Sequence, residues 1–118
     1  MKITLFVYGT LMRGEAAAHL LSGAQLLGEA RTAARYELLQ VGAYPALARD
    51  GTTCIAGELY AVEAKTLAEL DAYEGSAYER HIIELADGGK AQAYVVRETN
   101  ASWPVIESGR WRARPPPR

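Results

Sequence analysis

The chain has few of the features that mark disulfide-rich, membrane-spanning or nucleic-acid-binding proteins. It contains a single cysteine, Cys54, so no internal disulfide can form, which is compatible with a reducing compartment. No apolar run approaches the roughly 18 residues of a membrane-spanning helix, and no charged segment precedes an apolar one as in a signal peptide. The net charge of −1 argues against a general nucleic-acid binder. We therefore predict a cytoplasmic protein with neither a membrane nor a nucleic-acid partner.

The length and composition are those of one soluble domain. The chain has 118 residues, of which 49% are hydrophobic and 23% are charged. We assign residues 1–112 to a single domain and residues 113–118 to a basic, proline-rich tail. A frayed terminus is the ordinary interpretation of such a tail, and an SH3-type or nucleic-acid contact is the alternative.

The hydrophobic pattern favours strands over helices. Helical propensity or a three-residue apolar step predicts two short helices, at 15–21 and 63–73, with Gly75 placed to end the second. Alternating or apolar segments predict five or six strands, including the segments 2–8, 28–40, 54–62, 78–85 and 91–97. The last two are joined by a turn at 87–90 that is typical of a hairpin. Because the order lacks a βαβ rhythm, we predict an α+β fold built on a small, mixed, mostly antiparallel β-barrel with flanking short helices.

A glycine turn follows the first predicted strand. Tyr8-Gly9-Thr10-Leu11 ends the apolar run, and Gly9 permits an unusual backbone conformation or a close approach by another group. Successive N–H groups in such a turn can converge on an anion. A purely structural turn is the simpler interpretation, and phosphate or nucleotide binding is a further alternative for which only Arg13 offers a cation.

Glu74 is the strongest candidate for acid–base chemistry. It lies at the end of the second predicted helix, where the helix dipole disfavours a carboxylate, and partial burial would disfavour it further. Both effects raise a carboxyl pKa towards the range useful at neutral pH. Asp71, one turn earlier, would add to the effect if it faced the same way. The alternative is an ordinary solvated surface glutamate.

Other reactive residue types lack the neighbours that their chemistry needs. His19 and His81 have no further ligands at metal-binding spacing, so we predict neither a metal nor a cofactor. Cys54 lies in an apolar segment and is expected to be an inert core thiol. Ala56 and Gly57 indicate close approach of another backbone to the strand that contains them.

Several motifs occur in a recognisable order along residues 2–111. They are Tyr8-Gly9-Thr10-Leu11 with Arg13-Gly14, Gly42-Ala43-Tyr44-Pro45-Ala46-Leu47, Gly57-Glu58-Leu59-Tyr60, Leu70-Asp71-Ala72-Tyr73-Glu74-Gly75 with Tyr78 and Arg80, and Ile106-Glu107-Ser108-Gly109-Arg110-Trp111. This ordered set resembles the gamma-glutamylcyclotransferase-like superfamily, in particular its AIG2-like and gamma-glutamylamine cyclotransferase branch. Relatives usually have an acid where Arg110 stands, a difference away from the expected chemistry.

The resemblance implies an enzyme that cyclises a gamma-glutamyl group to 5-oxoproline and releases an amine, an acyltransferase or lyase type of reaction. Glu74 would be the general acid/base. The backbone of the turn from Tyr8 through Gly9 and Thr10 to Leu11 would hold the glutamyl end, and Tyr44 and Tyr78 would also bind substrate. A non-catalytic small-ligand module of the same fold is the alternative. The leaving amine and the oligomeric state are left open.

Overall fold

The computed structural model describes residues 2–15 and 17–111, and the predicted tail at 113–118 lies outside them. Seven strands and one α-helix are present in this part of the chain, together with a short 3₁₀ helix at Ala18–Leu21. In chain order they are β1 (Lys2–Val7), β2 (Gln25–Arg31), β3 (Tyr36–Val41), β4 (Tyr44–Arg49), β5 (Ala56–Glu63), α1 (Ala64–Glu74), β6 (Tyr78–Glu84) and β7 (Lys90–Val96).

All seven strands belong to one sheet. Its order is β2-β5-β1-β7-β4-β3, and β6 branches off by pairing with β7. The long ladders are antiparallel, whereas β7 meets both β1 and β4 in parallel through single residue pairs. The α+β class is therefore confirmed. No pairing among the described strands joins β2 to β3, so the sheet is open and branched rather than the closed barrel that we predicted.

Residues of β1 alternate between two hydrophobic cores because successive side chains of a strand point to opposite faces. Phe6 packs in one core with residues of β3, β4 and β7. Leu5 and Val7 pack in the other core, against Leu67 and Leu70 of α1. The helix thus packs on one face of β1, whereas β3 and β4 contribute side chains to the core on the other face.

The second predicted helix and the hairpin are confirmed with shifts of about one residue. Gly75 ends α1 with a φ of 76°, a conformation that glycine adopts without strain, and its N–H donates to the Asp71 carbonyl. The three-residue apolar step that predicted this helix is formed by Leu67, Leu70 and Tyr73. Leu67 and Leu70 are buried as expected, whereas Tyr73 is 48% exposed.

Two other predicted elements were wrong in extent. The helix predicted at 15–21 is a four-residue 3₁₀ helix, because the Ala17 N–H donates to the Thr10 carbonyl in the preceding loop. The extended segment predicted at 28–40 is two strands, β2 and β3, separated by a corner at Thr32. That buried residue bonds to Ile55 through both its backbone N–H and its hydroxyl, which turns the chain.

The strand predicted at 54–62 is present as β5 and begins two residues later. It pairs with β1 on one side and β2 on the other. A Cβ on Gly57 would overlap the Val7 carbonyl oxygen, which confirms the close backbone approach expected there.

Candidate active site

A cavity of about 490 Å³ brings together the two parts of the chain singled out from the sequence. The turn after β1 contributes one wall, and the end of α1 with the start of β6 contributes another. The lining residues are Phe6, Val7, Tyr8, Gly9, Thr10, Leu11, Val41, Tyr44, Pro45, Tyr73, Glu74, Ala77, Tyr78, Tyr94, Val96 and Trp103. All seven predicted site residues are among them.

The cavity lies where β4 and β7 are only loosely paired. A single residue pair, Leu47 with Val95, joins these two strands. The Tyr8 hydroxyl lies between them, donating to the Tyr94 carbonyl at 2.7 Å and accepting from the Leu47 N–H at 3.1 Å. It satisfies two buried backbone groups that a continuous ladder would have paired directly. Burial raises the pKa of Tyr8 well above its usual value, so this hydroxyl stays protonated.

A glycine is needed at position 9 because a neighbouring side chain packs against it, and not because the backbone there adopts an unusual angle. It is absent from the residues with positive φ, contrary to one of the two roles considered from the sequence. A Cβ at this position would lie 2.5 Å from Cγ of Pro45. The Pro45 ring therefore packs directly on the turn, and the Tyr78 hydroxyl, which donates to the Pro45 carbonyl at 3.2 Å, holds that segment of β4 in place.

The turn that lines the cavity has backbone donors without a partner in the described part of the chain. Among the described residues, the N–H groups of Gly9, Thr10 and Leu11 have no hydrogen-bond acceptor, whereas the Met12 N–H donates to the Gly9 carbonyl and closes the turn. Consecutive unpaired N–H groups of this kind can bind a carboxylate or a developing oxyanion.

An ion pair that the sequence did not single out holds the turn against the sheet. Glu58 on β5 is only 7% exposed, and its two carboxylate oxygens accept from the backbone N–H and the Nε of Arg13, each at 2.9 Å. Because Glu58 lies opposite Val7 in the β1–β5 ladder, the pair fixes the loop immediately beyond the end of β1. The sequence signal that could have revealed this pair was a glutamate within a predicted buried strand, since such a carboxylate needs a partner.

Glu74 is the one charged side chain among the described residues that line the cavity. It is partly buried in the last turn of α1, and burial raises its pKa from about 4.5 to about 7. A carboxyl group with this pKa is divided between its acid and base forms at neutral pH, as proton transfer in both directions requires.

Asp71 does not contribute to that shift, contrary to the possibility considered from the sequence. Its carboxylate accepts from Nε and Nη2 of Arg80 at 2.7 and 3.0 Å and from the Tyr94 hydroxyl at 2.6 Å. The Arg80 guanidinium lowers the pKa of Asp71. Arg80 also donates to Gln92, so the network ties the end of α1 to β6 and β7.

The remaining candidates lie elsewhere or carry other contacts. His19 is exposed on the 3₁₀ helix, and His81 contacts Glu79. Cys54 is only partly buried and precedes β5, so it is not the core thiol expected. Residues 2–15 and 17–111 include no group of three His, Cys, Asp or Glu that could hold a metal. They also include no helix long and apolar enough to cross a membrane.

Comparisons with known proteins identify the family of the chain. The chain is 40% identical over 116 residues to a Vibrio cholerae protein whose name proposes gamma-glutamylcyclotransferase activity, covering 97% of this chain and 99% of that protein. It is 38% identical over 112 residues to the gamma-glutamylcyclotransferase family protein YtfP of Escherichia coli strain K12, covering 93% and 96% of the two chains.

A solved structure shares the fold over nearly its whole length. The crystal structure of c4763, a protein specific to uropathogenic Escherichia coli, matches with a TM-score of 0.86 at 28% identity, covering 95% of this chain and 94% of that one. The family described as gamma-glutamyl cyclotransferase, AIG2-like, matches residues 5–113. On these grounds the chain belongs to the AIG2-like gamma-glutamyl cyclotransferase family.

Proposed function

We propose that this protein converts gamma-glutamyl conjugates into 5-oxoproline and a free amine, with Glu74 as general acid/base. The observation that carries the proposal is the position of Glu74, a partly buried carboxyl group with a pKa near 7. It lines the same cavity as Gly9, Thr10 and Leu11, whose N–H groups have no acceptor among the described residues. These two features supply a proton shuttle and a binding position for an anion.

The reaction needs no nucleophile from the protein because the substrate contains one. The α-amine of the gamma-glutamyl group attacks its own γ-carbonyl carbon, and a new C–N bond closes a five-membered lactam. The bond from that carbon to the leaving nitrogen then breaks. Glu74 accepts a proton from the attacking amine and returns it to the leaving nitrogen, so the protons balance.

The turn after β1 would hold the substrate in the folded conformation that this attack requires. The N–H groups of Gly9 to Leu11 would bind the glutamyl α-carboxylate or stabilise the oxyanion that forms at the γ-carbonyl. Holding the amine and the carbonyl in reacting geometry lowers the barrier by several kcal/mol in favourable cases, up to about 7–11 kcal/mol.

Phosphate or nucleotide binding is less well supported. The described lining of the cavity has one charged side chain, and it is negative. Arg13, the cation that this alternative needs, is paired with Glu58 and is not among the lining residues.

The test is a mass-spectrometric screen of gamma-glutamyl conjugates for 5-oxoproline release, followed by Glu74→Gln. We expect the variant to fold and to keep its KM within a few-fold, while kcat falls about 10²–10⁴-fold because the proton shuttle is lost. Glu69→Gln is the matched control, since Glu69 is exposed on the same helix and does not line the cavity.

Wild-type turnover in Glu74→Gln would disprove the role of Glu74. Binding of conjugates by the wild type without any 5-oxoproline release would instead favour the non-catalytic alternative.

A further inference from the structure

The cavity has more room than a gamma-glutamyl group fills. Its volume of about 490 Å³ falls within the range of cavities that bury drug-sized ligands, about 300–1,000 Å³. A gamma-glutamyl group is much smaller than such a ligand, so part of the volume is available for the amine that leaves. The side chains that line this remaining volume determine which leaving amine the cavity accepts.

Three aromatic residues from separate parts of the chain line this cavity. Tyr44 opens β4 directly after the two-residue turn from β3, Tyr73 lies in the last turn of α1, and Trp103 lies in the segment after β7. None of them belongs to the turn with the unpaired N–H groups, and none carries the reacting carboxyl group. They are therefore available to the part of the substrate beyond the glutamyl group.

Two of these rings are exposed to an extent unusual for their size. Tyr44 is 57% exposed and Tyr73 is 48% exposed, although both line the cavity. Large apolar surfaces left open at a cavity mouth are typical of ligand-binding positions. Trp103 is half-buried in the same cavity lining, and Val41 and Val96 add further apolar surface.

The chemistry of this surface favours a ring over a flexible or charged group. Aromatic rings pack against one another in offset or edge-to-face geometry with a gain beyond that of buried area alone. A polar leaving group would find few partners, because Glu74 is the one charged side chain in the described lining and it is already assigned to proton transfer.

We propose that the leaving amine of the natural substrate carries an aromatic ring, which packs among Tyr44, Tyr73 and Trp103. This inference rests on the proposed cyclotransferase activity and narrows its substrate class. It treats the three aromatic residues as specificity determinants and assigns them no part in proton transfer.

The experiment compares matched conjugates that differ only in the amine. Gamma-glutamyl-phenethylamide, gamma-glutamyl-cyclohexylethylamide and gamma-glutamyl-ethylamide are assayed for 5-oxoproline release with the purified full chain. We expect kcat/KM for the phenethylamide to exceed that for the ethylamide by about tenfold or more, since a pocket distinguishes apolar groups by roughly 10–200-fold per methylene. The cyclohexyl conjugate should be several-fold poorer than the phenyl one because it lacks a π face.

Variants test whether the named rings produce the preference. In Tyr44→Ala and Tyr73→Ala the ratio of phenethylamide to ethylamide turnover should fall several-fold, and the exposure of both side chains makes loss of the fold an unexpected result. Leu27→Ala is the matched control because Leu27 is also 48% exposed and does not line the cavity. Its ratio should equal that of the wild type.

The outcomes separate this inference from the function on which it rests. Ethylamide turnover equal to or better than phenethylamide turnover would overturn the inference and leave the cyclotransferase activity standing. Equal turnover of the cyclohexyl and phenyl conjugates would overturn the requirement for an aromatic ring. Failure of every gamma-glutamyl conjugate to release 5-oxoproline would overturn the proposed function, and the inference with it.

Discussion

The cavity wall after β1 and the wall at the end of α1 differ in the atoms that they present. The first offers backbone N–H groups of Gly9 to Leu11, and the second offers the side-chain carboxyl group of Glu74. Both are held by an ion pair just behind them, Arg13 with Glu58 and Arg80 with Asp71. Backbone donors need only a fixed chain path, whereas an acid/base group also needs a tuned pKa.

The helix wall shows how one turn of helix can give two carboxyl groups opposite properties. Asp71 faces β6 and β7, where Arg80 and Tyr94 lower its pKa by hydrogen bonding. Glu74, three residues later, faces the cavity, where burial raises its pKa to about 7. Direct contact with a cation determines the pKa of Asp71, whereas desolvation without such a contact determines the pKa of Glu74.

The largest expected effect is on the pH dependence of the proposed activity. Below pH 7 Glu74 becomes protonated and cannot accept the proton of the attacking amine, so kcat should fall about tenfold per pH unit. The substrate α-amine, which ordinarily titrates near pH 8, adds its own dependence in wild type and variant alike. The rate profile of Glu74→Gln from pH 5 to 9 should therefore lie far below that of the wild type, and its shape should differ by the absence of the limb near pH 7. A wild-type profile without that limb would contradict the tuned pKa.

Replacing Asp71 should affect stability more than chemistry. Asp71→Asn removes the charge that pairs with Arg80, and because both side chains are partly exposed we expect a loss of about 1–2 kcal/mol in the free energy of unfolding. A several-fold fall in kcat should follow from a less firmly held Glu74. Thermal unfolding and initial rates measure both, with Glu84→Gln, at the exposed pair of Glu84 with Arg35, as the control. No change in either quantity would show that the Arg80 network does not hold this wall.

On the other wall, Gly9→Ala should disturb the turn through its contact with Pro45. The added Cβ would lie 2.5 Å from Pro45 Cγ, and relieving such an overlap costs about 1–3 kcal/mol. We expect a raised KM for gamma-glutamyl conjugates as the N–H groups move. Gly23→Ala is the control, since a Cβ there meets nothing within 4 Å. Unchanged KM, kcat and melting temperature in Gly9→Ala would remove the turn from the site.

Much of the fold was predictable from local signals. Alternating polarity and the turn at 87–90 identified the β6–β7 hairpin. The three-residue apolar step and Gly75 identified α1. Both patterns arise from residues close in sequence. The corner at Thr32 was not predictable, since it depends on hydrogen bonds to Ile55, 23 residues later. The length of the first helix was predicted wrongly for a similar reason, since the Ala17 N–H donates to the Thr10 carbonyl in the preceding loop.

The sequence by itself determined which residues could do chemistry: one acid at a helix end and one glycine turn after an apolar strand, in an order that resembles a known family. Only the tertiary structure decided their environment. Whether Glu74 is buried, whether Asp71 meets Arg80 and which ring packs on Gly9 depend on contacts between segments distant along the chain. Desolvation and direct charge contacts, which fix a pKa, are properties of that three-dimensional packing and not of residue order.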